Sequence, residues 1–160
     1  MHIQIQPITA AAFAPFGDLI TLRDTPDKII NQGLCGRHHD LADMDFGEDG
    51  RSGISLFNAE ARNLPLTLDM MERHPEGSQA FIPMTQHPFL VVVAKDDNGR
   101  PATPLAFRTE AGQGVNYHRN TWHGVLTPLR APGLFAVVDR IGNTPNLQEH
   151  WFDVPYTVTG

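Results

Sequence analysis

The strongest constraint on the fold of this chain is a two-residue periodicity carried in short runs. "HIQIQPI" alternates apolar and polar residues from its start, and "GDLITL", "GISLFNA", "LPLTLDMMERH", "QAFIPM", "FLVVVAK", "PLAFRT", "WHGVLTP" and "GLFAVVDR" follow as further extended runs. Between them "GEDG", "HPEG", "DDNG", "EAGQG" and "RAPG" supply turns. A strand presents alternate side chains to opposite faces, so this pattern predicts an all-β sandwich or barrel of the jelly-roll type. Helices are expected to be minor and peripheral: one turn in "TAAAFAPFG" capped by Thr9, and a second candidate around "TPNLQEHW". The P-loop, the dinucleotide fingerprint and the G-x-S-x-G elbow are absent, which removes the commonest routes to nucleotide and α/β-hydrolase chemistry.

A chain of 160 residues suits one domain with its own core, here spanning residues 1–160. Its 14 glycines and 13 prolines fit many short elements. The net charge of −6 argues against a nucleic-acid partner, which calls for a basic patch. No apolar run approaches the roughly 20 residues needed to span a bilayer, and "MHIQIQPITA" lacks the basic flank and apolar block of a signal peptide. The expectation is a cytoplasmic protein with no membrane partner. Cys35 is the only cysteine, so it reads as a small packed residue rather than part of a disulfide or thiolate cage.

Parity locates candidate chemistry. In "LPLTLDMMERH", Leu66, Leu68 and Met70 share a face, and Glu72 and His74 continue it, so both are expected to point into the barrel while Arg73 points away. Gln79 and Phe81 share a face in the next run. The spacing Glu72-x-His74-x4-Gln79 resembles the first motif of cupin barrels, with Glu in place of the first His and Gln in place of the Glu. Oxygen and nitrogen donors of these types bind divalent ions. In "GQGVNYHRNTWHG", Gly112, His118, Asn120 and His123 fall at the spacing of the second cupin motif, which puts His123 at its metal-binding position. Parity then carries His123, Val125 and Thr127 onto one face and Trp122 onto the other, packed outside the barrel or against a partner subunit. Glu72, His74, Gln79 and His123 are therefore the candidate metal ligands. Tyr117, His118 and Glu72 are the candidate catalytic groups, His118 because imidazole titrates near neutrality. Asn31, Arg37, Arg73 and Asn116 are the candidate substrate-binding residues, Arg37 as a guanidinium able to clamp a carboxylate. Asp139 and Arg140 also stand out, closing an apolar strand with opposite charges.

Two long blocks, "NLPLTLDMMERHPEGSQAFIPM" and "GQGVNYHRNTWHGVL", preceded by "FGDLI" and "INQGL", resemble the ureidoglycolate lyase (ureidoglycolate hydrolase) family of allantoin degradation. The resemblance runs from Met1 to about Gly142; the tail "NTPNLQEHWFDVPYTVTG" carries no recognisable pattern of it. It implies a cupin-like β-barrel, a homodimer, a divalent metal with Ni²⁺ favoured, and cleavage of (S)-ureidoglycolate to glyoxylate and urea in purine catabolism. A reading of a different class is a cupin-like module that holds a small carboxylate without turnover, since a fold does not fix function.

Overall fold

The computed structural model describes residues 1–160 and resolves the alternating runs into sixteen short strands. Six of them close on themselves. Around this ring run Leu105–Arg108, His2–Pro7, Gln148–Thr159, Leu66–Arg73, Trp122–His123 and Phe89–Ala94, and the last pairs back with the first. The His2–Pro7 strand is parallel to both its neighbours, whereas the other pairings in the ring are antiparallel. A second, antiparallel sheet of five strands lies alongside, in the order Gly17–Ile20, Gly114–Tyr117, Gln79–Pro83, Gly133–Ile141 and Arg51–Ala59. The expected all-β, cupin-like barrel is observed.

The alternation sorts side chains into two apolar clusters rather than one. Leu90, Val92, Ala94, Ala106, Ile3, Tyr156 and Val158 all come from the closed ring and form one of them. Their strand neighbours Val91, Val93 and Phe107 join Phe81, Val115, Tyr117, Phe135 and Val137 of the second sheet. The 89–94 strand, buried at every position, therefore serves both clusters. The residues reading as a continuous apolar run are those that lack a solvent face.

Four expectations are corrected. Leu66 and Leu68 lie in the ring cluster together with Met71, not with Met70, so the parity of this strand flips between 68 and 71. Across the pair, Leu68 faces Tyr156 but Met70 faces Trp151, so four residues of the partner bulge opposite Asp69. Pro155, which has no N–H to donate, stands in that bulge. Second, "TPNLQEHW" gives no helix. Its end enters the 148–159 strand, where pairing with the 66–73 strand and packing of Phe152 against the ring cluster outweigh a weak helical period. Third, "WHGVLTP" is broken: Trp122–His123 and Thr127–Pro128 are separate strands and Val125 is exposed, because Gly124 turns its N–H to Val92. Fourth, Trp122 does not pack outside the barrel; it is buried in the ring cluster.

The N-terminal turn is as expected: the helical turn Ala10–Phe13 begins at Thr9, whose hydroxyl accepts from the Ala12 N–H, and it buries Phe13. The tail that carried no motif closes the ring: its strand lies between the 2–7 and 66–73 strands.

Candidate active site

The chemistry gathers where the ring meets the second sheet. His123 is directly opposite both Glu72 and Val93 in the ring, and cross-strand partners share a face. Val93 belongs to the cluster between the sheets, so Glu72 and His123 face that layer. The direction expected for Glu72 is right although its reason, unbroken parity from Leu66, is not. His74 follows directly, its carbonyl accepting from the Asn120 N–H, which ties the two motif blocks together. Ligand atoms of Glu72, His74 and His123 lie within 4.8 Å of one another, and Gln79 Oε1 is 3.1 Å from His74 Nε2.

The hydrogen bonds around this cluster leave lone pairs pointing inward. His74 Nδ1 donates to Asn146 O at 2.7 Å, and its Nε2 lies against Gln79 Oε1, so the ring turns one nitrogen outward and one toward the cluster. The Gln79 amide is oriented by Nε2 donating to Asp139 Oδ2 at 3.0 Å, so its oxygen is turned toward that same His74 nitrogen. Two such atoms at this distance need something positive between them, a proton on Nε2 or a bound cation. His123 Nδ1–H donates to Gly124 O at 2.9 Å, and its Nε2 is buried with no partner at all. An orphaned buried polar atom costs roughly 1–3 kcal/mol. Two imidazoles with the outer nitrogen tied to a carbonyl and the inner one turned toward a shared centre are the usual arrangement of metal-binding histidines. The donor set therefore fits a divalent metal ion, and His74, His123, Gln79 and Glu72 are the residues that can hold it.

Electrostatics follow from burial. Loss of water, and next the neighbouring His74, depress the pKa of His123 to about 3, so this imidazole is neutral at physiological pH. Burial pushes the Glu72 carboxyl up; His74 opposes the shift and Glu149, directly across the strand pair, adds to it. Burial, and then the Glu72 charge, also raise the Tyr117 phenol. Its ring stacks on His123 with centroids 4.2 Å apart and planes 6° from parallel, fixing the imidazole plane. Glu72 and His74 retain some exposure, 21% and 17% of the side chain, which leaves the cluster an open side.

The other candidates lie elsewhere. Asn116 and His118 alternate with Tyr117 and turn to the far side of their strand. There Asn116 Nδ2 donates to Asp18 and to the Asp43 carbonyl, and His118 Nε2 lies 3.0 Å from Asp18 Oδ2. Burial raises the Asp18 carboxyl, but the bonds from Asn116 and the Asp43 backbone, with His118, hold it below its ordinary value. Arg73 points away from Glu72, as its parity requires: it binds Gln148 and Asp96 and lies 4.4 Å over the Trp122 ring. Asn31 and Arg37 are exposed on the hairpin of Lys28–Ile30 and Cys35–Arg37; Asn31 holds a left-handed turn conformation, φ 55°, and Arg37 makes no hydrogen bond or ion pair. Cys35 is half-buried in the same hairpin.

Sequence reasoning missed Asn146 and Glu149, both from the tail, and gave Asp139 no role. Opposite charges closing an apolar strand were the only visible signal for Asp139; for the two tail residues there was none.

Residues 1–159 match the family model described as ureidoglycolate lyase. The match runs through the tail, beyond the resemblance that ended near Gly142. A ureidoglycolate lyase of Rhodobacter capsulatus is 61% identical over 159 residues, which cover 99% of each chain. Ureidoglycolate lyase 2 of Rhizobium meliloti is 52% identical, over 98% of this chain and 96% of the relative. The corresponding protein of Chelativorans sp. is 51% identical, over 96% and 93%. The chain belongs to the ureidoglycolate lyase family.

Proposed function

We propose that this member of the ureidoglycolate lyase family cleaves (S)-ureidoglycolate to glyoxylate and urea. The observation that carries the reading is the convergence of Glu72, His74, Gln79 and the unpartnered Nε2 of buried His123 in a chain matched to the family from end to end. In the substrate one carbon bears a hydroxyl, a carboxylate and a ureido nitrogen. Collapse needs a base for the hydroxyl proton and an acid for the departing nitrogen. Glu72 serves as both. Its raised pKa brings it nearer neutrality, so it takes the hydroxyl proton as the C=O bond forms and the C–N pair leaves with nitrogen; it then returns the proton to that nitrogen, giving urea. His74, Gln79 and His123 would hold a divalent ion, Ni²⁺ by family resemblance, which when bound polarises the hydroxyl and gathers the substrate's oxygens. Tyr117, kept protonated by its raised pKa, holds His123 in plane. His118, paired with Asp18 on the far side of the strand, is assigned to proton exchange with solvent rather than to the reacting carbon. Asn116 holds Asp18 in place for that pair. Arg37, without a partner in the chain, remains the candidate for meeting the substrate carboxylate from its hairpin.

The test is product analysis: glyoxylate and urea in equal amounts from ureidoglycolate. Ammonia appearing in step with glyoxylate, without urea, refutes the assignment.

The protein is further proposed to work as a cytoplasmic homodimer. No helix is long and apolar enough to cross a membrane. The outer face of the five-stranded sheet carries Ile54, Leu56, Ile82 and Met84 side by side, all exposed, and the 51–59 strand is its open edge. Such a face asks for cover. Light scattering at micromolar concentration should give twice 17.7 kDa, and Leu56→Lys should shift the mass toward that of one chain.

A further inference from the structure

Arg140 ends the 133–141 strand on the face opposite Asp139 and is only 8% exposed. A guanidinium has five N–H donors. One is used here: Nε donates to the Phe46 carbonyl at 3.0 Å. None of the chain's ion pairs includes Arg140, so this largely buried cation has no carboxylate in direct contact, an arrangement that is costly unless something answers it.

The surroundings are built to this side chain. A Cβ at Gly50 or Gly142 would collide with the guanidinium end, and one at Gly77 would press on its stem at 2.9 Å. Gly47 approaches Nε as well, in a left-handed conformation, φ 67°. Four glycines thus let backbone close around one arginine and hold its plane. Arg140 lines a cavity of about 320 Å³ that has no hydrophobic residue in its wall. On its other wall stands Arg119, half exposed, with Nε bound to the Pro75 carbonyl and its Nη atoms only loosely opposed by Asp45 and Glu76, at 3.7 and 3.6 Å. Glu48 and Asp49 also line the rim.

We infer that this cavity is a binding site for a small carboxylate anion, held by the planar end of Arg140 with Arg119 opposite, outside the candidate active site. A guanidinium fork matches the two oxygens of a carboxylate. Glu48, Asp49 and Glu76 limit the charge the cavity tolerates: three carboxylates beside two arginines oppose phosphate, with its higher charge, more than they oppose a singly charged carboxylate held directly on the guanidinium. The cavity shares no lining residue with the Glu72 cluster, yet it backs onto the same loop. Glu76 N–H donates to Asn146 Oδ1, while the Asn146 carbonyl receives the His74 Nδ1 proton.

The experiment is a titration of the whole protein with acetate, followed by nuclear magnetic resonance at Arg140 Nε and at the amides of Gly47, Gly50, Gly77 and Gly142. Saturable shifts at these positions are expected. Arg140→Lys, which keeps the charge and loses the fork, should weaken them about tenfold, the loss of one charge-assisted hydrogen bond. Should that variant fail to fold by circular dichroism, Arg119→Ala, on an exposed side chain, should still weaken binding severalfold. Shifts that do not saturate, that appear only around Glu72 and His123, or that survive the folded variant unchanged would overturn the inference. Inorganic phosphate binding more tightly than acetate would overturn the assignment to carboxylates.

Discussion

Trp122 and His123 are adjacent, almost equally buried at 2% and 1% exposure, and provided for in opposite ways. Trp122 enters the ring cluster with its one polar atom answered: Nε1–H donates to Asp96 at 2.9 Å, and Arg73 covers its ring. His123 turns to the layer between the sheets and keeps a nitrogen with no partner. Burial therefore does not separate architecture from chemistry in this molecule. Polar satisfaction does. The ring cluster is apolar and complete, whereas the layer between the sheets ends in groups whose bonds are arranged to leave lone pairs free.

The comparison breaks first, and most severely, at His123. His123→Ala should lose both retained metal and lyase activity while the fold survives, read by metal analysis and by urea release. An enzyme with full activity would place His123 with Trp122 as architecture. Next in size, Glu72→Gln should lower the rate by roughly 10²–10⁴-fold, the scale of general acid–base catalysis, yet keep any metal. On the other side of the comparison, Trp122→Ala should cost about 3–5 kcal/mol of stability, measured by denaturant unfolding, and any loss of activity should follow the loss of folded protein. Asp139→Ala sharpens the contrast from a distance: it frees the Gln79 amide to turn, and metal affinity should fall about 10–100-fold, the usual effect of a partner one bond removed from the ligands. Unchanged affinity in competition with a chelator would mean that Gln79 needs no such anchor.

The smallest effect is one of pH. A carboxyl whose folded pKa is raised binds its proton more tightly when folded, so the stability it contributes is present at low pH and lost as pH rises through the folded value. For Glu72 that loss begins above its ordinary value of 4.5. In metal-free protein the melting temperature of Glu72→Gln should therefore exceed that of the parent at neutral pH, and the gap should close toward pH 4.

Much of this contrast was legible from the sequence. The 79–83, 89–94 and 133–141 strands lie where alternation placed them, since each keeps its register from end to end. Glu72, His74, Gln79 and His123 come together because two strand ends meet, and strand ends can be read locally. What was not legible depends on distant partners. The parity flip in the 66–73 strand is imposed by a bulge some 80 residues later, and nothing within "LPLTLDMMERH" announces it. Asn146 and Glu149 sit in a tail without motif, and only ring closure brings them to His74 and Glu72. His118 had the right residue type and spacing, but alternation within the short 114–117 strand sends Tyr117 inward and its neighbours out.

That ring closure also has a meaning in time. His2 is paired with Thr157 and Ile3 with Val158, so a ribosome has to deliver 155 further residues before the 2–7 strand can meet this partner. At typical elongation rates of about 5–20 residues per second that interval is roughly 10–30 seconds, and the edge of the 66–73 strand waits uncovered for about half of it. Asn146 arrives in the same late stretch, so His74 can be oriented only when the barrel can close. The nascent chain is thus kept from orienting its candidate metal ligands early.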